Sequence, residues 1–135
     1  MNIIICIDDH GGMLFNGRRQ SKDSALRAQA RLLAANEPLW MNAYSAKQFA
    51  EDGIPVVVDE AFLAHAPEHG WCFVENCAIM PFLHRIQKIA LYRWNRLYPS
   101  DRKFPLELLN RWEMISSREF EGNSHECITE EVYRL

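Results

Sequence analysis

Short apolar runs alternate with amphipathic stretches along most of the chain. Residues 2–7 are apolar on both faces and rich in isoleucine, which predicts a fully buried strand. Ile54–Val58 has the same character, and Leu39–Met41 and Trp71–Val74 predict two further strands. Apolar residues on both faces are typical of a sheet that is covered on both sides.

Helical patterns lie between these strands. A helix is predicted to start at Ser21 or Asp23 and to run to about Ala35, and it carries an apolar stripe at helical spacing, formed by Leu26, Ala30 and Leu33. Shorter helices are predicted from Ser45 to Asp52, with Ser45 as the cap, from a cap at Asp59 to Ala66, and over Ala78–Ile86. Alternating strands and helices favour a parallel sheet.

The last part of the chain has a different pattern. Ile89–Trp94, Trp112–Phe120 and Glu126–Leu135 are predicted strands with no helices between them, and Glu121–Asn123 marks a turn between the last two. Strands joined by a short turn must pair antiparallel. The sequence therefore predicts one α/β domain over residues 1–135, with a mixed, mostly parallel sheet, an antiparallel C-terminal edge and flanking helices.

Composition narrows the class of protein. The 135 residues are 48% hydrophobic and 24% charged, with a formal charge of −3, which disfavours a dedicated nucleic-acid binder. The longest apolar run, Ile3–Ile7, is too short for a membrane span or a signal-peptide core, so we expect a cytoplasmic protein. The four scattered cysteines read as buried free thiols. Nothing in the sequence fixes the oligomeric state.

Basic residues cluster in two segments, residues 18–31 and 85–103, while the C-terminal part is acidic. Each segment is either a solvated face or one half of a site in which the two segments meet and hold a phosphate or a carboxylate. Both interpretations remain open at this point.

The segment Phe82–Glu113 carries several recognisable features. These are Phe82-Leu83, Gln87-Lys88 before a strand, Ser-Asp-x-x-Phe-Pro at Ser100–Pro105, and Trp112-Glu113 at the start of the next strand. In this combination the segment resembles the second half of bacterial dihydrofolate reductases. The N-terminal part is similar more loosely, with a strand from residue 2 and a Gly-Met pair at residues 12–13. The resemblance implies that family's fold and, in its usual form, an NADPH-dependent reductase.

The chain departs from that family where the cofactor binds. The family holds the pyrophosphate of NADPH on a Gly-Gly pair at a strand–helix turn, where Glu75 and Asn76 stand in this chain. An arginine that grips the cofactor's phosphate is replaced by Asn42-Ala43, and the chain is shortened in the 50–70 region. We therefore expect no cofactor, and NADPH only if the reductase alternative holds.

The segment from Gly12 to Asp23 is the candidate binding region. By resemblance, Asp23 stands where the family has the carboxylate that contacts the pterin ring, and partial burial predicts a raised pKa for proton exchange. The alternative is that Asp23 only favours the first turn of the helix. Gly12–Gly17 is predicted to be a mobile loop over the pocket, whose ligand contacts are Met13, Phe15, Arg18, Arg19 and Tyr92.

Other chemistries find less support in the sequence. Asp8, Asp9 and His10 are consecutive in an extended segment and so do not converge on a metal. A metal-dependent ribonuclease of the metallo-β-lactamase type needs a His-x-His-x-Asp-His string, which the chain lacks. His125 is assigned to a loop without a catalytic partner. The favoured function is the non-redox binding of a heteroaromatic or anionic small molecule; the alternatives are a dihydrofolate- or pteridine-type reductase and, less favoured, a protein-interaction module or a hydrolase.

Overall fold

The computed structural model describes all residues from Met1 to Leu135. Its main sheet has seven strands in the spatial order β5-β4-β6-β1-β7-β10-β9. Strands β1, β4, β5, β6 and β7 are parallel, whereas β10 pairs antiparallel with both β7 and β9. The strands are β1 (Asn2–Ile7), β4 (Leu39–Met41), β5 (Val56–Val58), β6 (Trp71–Phe73), β7 (Lys88–Arg93), β9 (Glu113–Phe120) and β10 (Ile128–Arg134).

The centre of the sheet is buried on both faces, as the continuous apolar runs predict. Alternate residues of β1 point to opposite sides, so Ile3 and Ile5 join one apolar cluster while Ile4 joins the other. Helix α1 (Ser24–Leu33) covers the second cluster with Leu26 and Ala30. Helix α3 (Phe62–His65) covers the first. The mixed sheet with an antiparallel C-terminal edge is therefore confirmed.

A second sheet of three short strands sits beside the carboxyl end of β1. Strand β2 (Gly12–Phe15) lies between β3 (Arg18–Arg19) and β8 (Arg102–Lys103), and both neighbours pair with it antiparallel. Asn16 and Gly17 form the hairpin turn with φ of 51° and 71°, the left-handed conformation that such tight turns require. The predicted mobile loop is therefore a paired hairpin.

Several predicted element boundaries are wrong. Asn42, and not Ser45, caps helix α2 (Ala43–Phe49), since its side chain accepts a hydrogen bond from the amide of Ser45. Strand β5 is not buried, because it forms the edge of the sheet and leaves Val58 exposed. The helix predicted over Ala78–Ile86 is a 3₁₀ helix, Met80–Arg85, and a second 3₁₀ helix, Leu106–Arg111, has no counterpart in the prediction.

No helix of this fold combines the length and the apolar character needed to cross a membrane.

Candidate functional site

The loops that carry most of the polar chemistry meet at the carboxyl edge of the parallel strands. The segments that follow β1, β6 and β7 begin there, and the N-terminus of α1 and the turn before β10 lie at the same edge. In open α/β sheets this edge is where ligands bind, because loops from several strands converge on it. The candidate site is therefore this edge.

A carboxylate occupies the turn after β6. Glu75 receives two hydrogen bonds from the guanidinium of Arg19, at 2.9 Å and 3.1 Å, and a third from the hydroxyl of Ser45 at 2.8 Å. The guanidinium also stacks 4.4 Å from the centre of the Tyr44 ring. Both side chains of this bidentate pair are largely buried, which makes it stronger than an ion pair in open solvent.

The next residue closes the same turn from the other side. Asn76 accepts a hydrogen bond of 2.8 Å from the side-chain amide of Asn42 and, through its backbone carbonyl, one of 3.3 Å from Arg102. The helix that follows is a 3₁₀ helix that begins only at Met80. The turn is therefore filled by side chains and offers no row of free amides from an α-helix N-terminus.

Arg19 and Glu75 line a small cavity of about 10 Å³, roughly the space for one water molecule. Gln20 and Gln48 face this cavity, and each has a buried polar atom without a partner: the side-chain oxygen of Gln20 and the side-chain nitrogen of Gln48. The amide of Gln20 is oriented by its donation to Asp8 and to the carbonyl of Pro99. The apolar wall of the cavity consists of Cys6, Met13, Leu26, Phe73, Val74 and Trp94.

Asp23 also lines this cavity, but its carboxylate is already hydrogen-bonded to neighbouring groups. It is the N-cap of α1 and accepts from the amide of Ala25, and it also accepts from the amides of Asn123 and Ser124, at distances of 2.8–2.9 Å. Burial alone would raise the pKa of Asp23, but these backbone bonds and the one from His125 hold it well below its usual value. The expected raised pKa is therefore wrong.

His125 joins this carboxylate to a phenol, a connection that the sequence did not reveal. Its Nδ1 lies 3.1 Å from Asp23 Oδ2 and its Nε2 lies 2.9 Å from the hydroxyl of Tyr98. The imidazole also stacks on Trp94, with ring centres 4.5 Å apart. Asp23 and His125 are far apart in the sequence and no motif links them, so only the fold brings them together.

The predicted ligand contacts separate into two groups. Met13, which is buried, and Arg19, which is bonded to Glu75, line the small cavity, and Arg19 also borders the open groove described next. Phe15 and Arg18 instead lie on an open groove of about 510 Å³, whose other side includes Tyr98. Arg18 makes no ion pair, and Phe15 is 43% exposed.

Tyr92 does not face the site. Its side chain is fully buried and its hydroxyl donates a hydrogen bond of 2.6 Å to Glu130. Burial and the neighbouring carboxylate raise the pKa of Tyr92 far above its ordinary value. The prediction that Tyr92 contacts a ligand is corrected, because the residue supports the sheet between β7 and β10.

Asp8, the first acid after β1, is hydrogen-bonded mainly to backbone amides. Asp8 accepts hydrogen bonds from the amides of His10 and Gly12, both at 2.8 Å, and from the side chain of Gln20 at 3.0 Å. No group of three or more His, Cys, Asp or Glu side chains is placed to hold a metal ion.

The two basic segments do approach each other. Strands β3 and β8, which carry Arg18-Arg19 and Arg102-Lys103, flank β2 on either side. Arg19 and Arg102 are both hydrogen-bonded to the turn at residues 75–76. Two of these four cations, Arg19 and Arg102, therefore bind protein groups of the same turn.

Comparison with known proteins reveals the fold. A dihydrofolate reductase from Enterococcus faecalis, in a complex with NADP(H) and RAB-propyl, superposes with a TM-score of 0.67 over 98% of this chain and 94% of its own. The fold is that of dihydrofolate reductase. Sequence identity over this dihydrofolate-reductase-like fold is only 13%, so the likeness establishes the architecture and not the activity. No protein-family model matches the chain, and no curated protein matches it by sequence.

Proposed function

We propose that this protein is a divergent relative of dihydrofolate reductase that binds a small heteroaromatic molecule and does not use NADPH. The resemblance over residues 82–113 and the shared fold support the relationship. The side chains at the carboxyl edge support the change of function. No hydride transfer is assigned to the protein.

The turn after β6 does not fit a dinucleotide. A pyrophosphate there would meet the carboxylate of Glu75 and would have to displace it from both Arg19 and Ser45. Removing one charged partner from a largely buried pair is costly, because the other is left without compensation. The amide-lined approach that glycines would provide is also missing, since the side chain of Asn76 bonds across the turn to Asn42.

The unpaired amide atoms of Gln20 and Gln48 carry the ligand assignment. The chain has three buried side-chain polar atoms without a partner, and two of them belong to residues that line one cavity. Leaving such a group unpaired costs about 1–3 kcal/mol. One is an acceptor and the other a donor, so a planar heterocycle with an adjacent donor and acceptor on its edge satisfies both.

The cavity must enlarge to admit such a molecule. Arg19 and Glu75 line it and are bonded to each other, so separation of this pair is the opening step that the proposal requires. The freed guanidinium of Arg19 would then face the ligand and favour a carbonyl or an anionic group on it. The apparent affinity for the ligand is thus reduced by the free energy needed to separate the Arg19–Glu75 pair.

Isothermal titration with 2-aminopyrimidin-4-one, a planar ring with this donor and acceptor pattern, tests the proposal. We expect weak binding to the unmodified protein and binding about tenfold tighter to the Glu75→Gln variant, because that substitution weakens the closure. Adding Gln48→Leu to this variant should abolish the gain, since the donor is removed.

The matched control is Gln87→Leu in the same background, because Gln87 is exposed and does not line the cavity. The ligand assignment would be overturned by failure of the ring to bind Glu75→Gln. Equal binding with and without Gln48→Leu would also overturn it.

A further inference from the structure

A large cavity lies at the amino edge of the sheet, at the opposite end of the parallel strands from the site described above. It is formed by the segment that joins α1 to β4 and by the segment that leads into β6, and its volume is about 590 Å³. This is within the usual range of small-molecule sites. Nothing in the proposed function uses it.

The walls of this cavity are apolar and aromatic. Trp40, in the middle of β4, and Trp71, at the start of β6, both line it, and Pro38 and Pro67 come from the two segments that enclose it. Both tryptophans are only half-buried: Trp40 packs against the apolar cluster on one face of the sheet and Trp71 against the cluster on the other, so the cavity spans the amino end of the two strands. An indole that remains accessible in a concave site is the best aromatic partner for a cation.

Two acidic residues line the cavity. The lining includes Glu37 and Glu68 together with His69, and it contains no lysine or arginine. The C-terminal end of α1 also forms part of the wall, through Leu33 and Ala34, and the carboxyl end of a helix carries a partial negative charge of about half an electron. Aromatic walls and negative charges together select cations and repel anions.

The nearby cations are already hydrogen-bonded to protein groups, and the ammonium of Met1 lies close enough to Glu68 to interact with its charge. The terminal amine of Met1 donates to the backbone carbonyls of Glu68 and Arg85, and the guanidinium of Arg85 donates to the carbonyls of Leu63 and Ala66. Arg31, in the last turn of α1, is hydrogen-bonded to Asn36. None of these three cations lines the cavity.

We propose that this cavity binds an organic ammonium ion that carries an apolar or aromatic group. The indole surfaces of Trp40 and Trp71 receive the apolar part and the ammonium, while Glu37 and Glu68 supply the charge. The site is independent of the carboxyl edge, so one can fail without the other.

Titration of the intact protein with benzyltrimethylammonium, monitored by tryptophan fluorescence and by calorimetry, tests the proposal. We expect saturable binding that weakens as salt is added, because the carboxylates are exposed. Benzyl alcohol, which lacks the charge, and phenylacetate, which carries the opposite charge, should bind much more weakly or not at all.

Two pairs of substitutions separate a specific site from a general attraction to an acidic protein. Glu37→Gln with Glu68→Gln should weaken binding about fivefold or more, from the loss of two partly screened charges. Glu51→Gln with Glu107→Gln removes the same charge from exposed positions outside the cavity and should leave binding unchanged. Thermal melting confirms that each variant is folded.

Three results would overturn the proposal: no saturable binding of benzyltrimethylammonium, equal binding of benzyl alcohol, or equal losses from the two double variants. The Trp71→Phe variant gives a further check, because it should reduce both the affinity and the fluorescence change. The Glu75→Gln variant at the other edge should bind the ammonium ion like the unmodified protein.

Discussion

Asp23 shows how a position that resembles a catalytic carboxylate is used for structure. Its carboxylate joins the first turn of α1 to the turn before β10, through the amides of Asn123 and Ser124 and the ring of His125. Gly122 makes this approach possible, because a Cβ there would lie 2.7 Å from Asp23 Oδ2 and 2.6 Å from the carbonyl of His125. A group with this many donors around it stays ionised and has no free lone pair for a proton from a ligand.

The Asp23→Asn substitution should therefore destabilise the protein by about 2–4 kcal/mol, because the new amide would point a donor at the donors of Ser124 or Asn123. Urea denaturation at neutral pH measures this loss. Asp9→Asn is the matched control, since Asp9 is exposed, and it should change stability by less than about 0.5 kcal/mol. A loss at Asp23 no larger than at Asp9 would contradict the structural role.

The lowered pKa of Asp23 also sets the direction of the acid response. A carboxyl whose folded pKa lies below its unfolded value of about 3.9 stabilises the protein above that pH and loses this contribution as the pH falls further. Stability of the unmodified protein should therefore decline below about pH 4, and the decline should be shallower in Asp23→Asn. An equally steep decline in the variant would show that other groups cause it.

At the level of elements, an ion pair joins the turn after β6 to strand β3. Arg19 and Glu75 share two hydrogen bonds and are largely buried, whereas Arg134 and Glu113, at the exposed edge of the sheet, share one of 2.8 Å. A double-mutant cycle with Arg19→Met and Glu75→Gln should give a coupling energy of about 1–3 kcal/mol. The same cycle on Arg134 and Glu113 should give less than about 1 kcal/mol.

Equal coupling energies in the two cycles would mean that the Arg19–Glu75 pair stabilises the contact between the turn after β6 and strand β3 no more than an exposed ion pair does. The result bears directly on the small cavity, because both residues of the pair line it. Calorimetric or denaturant melting of the single and double variants provides both cycles.

The sequence predicted the elements well where burial dictates the pattern and poorly where it does not. The central strands β1 and β7 are predicted correctly because Ile3–Ile7 and Ile89–Tyr92 are apolar on both faces. For strand β5 the sequence predicts burial wrongly, because three consecutive valines look the same at the edge of a sheet as in its core. The cap of α2 was misplaced because Asn42 and Ser45 are both good capping residues, and only the hydrogen bond distinguishes them.

For the molecule as a whole, the resemblance to dihydrofolate reductase gave the correct fold from a few residues of the second half of the chain. The site was only partly predictable. The departure at Glu75 can be seen in the sequence, because it lies within one short turn motif. Its partner Arg19 is 56 residues away, and the sequence predicts Arg19 as a ligand contact instead. The contacts among Asp23, Tyr98 and His125 depend on three distant segments and left no signal in the sequence.

Titration of the intact protein with NADPH, followed by thermal unfolding and by the fluorescence of the reduced nicotinamide, tests the closed turn most directly. A ligand that binds only the folded state raises the unfolding temperature. With Glu75 bonded to Arg19 and Ser45, we predict a shift of less than about 1 °C up to about 1 mM NADPH. A saturable shift at micromolar NADPH would contradict the proposal and restore the reductase alternative.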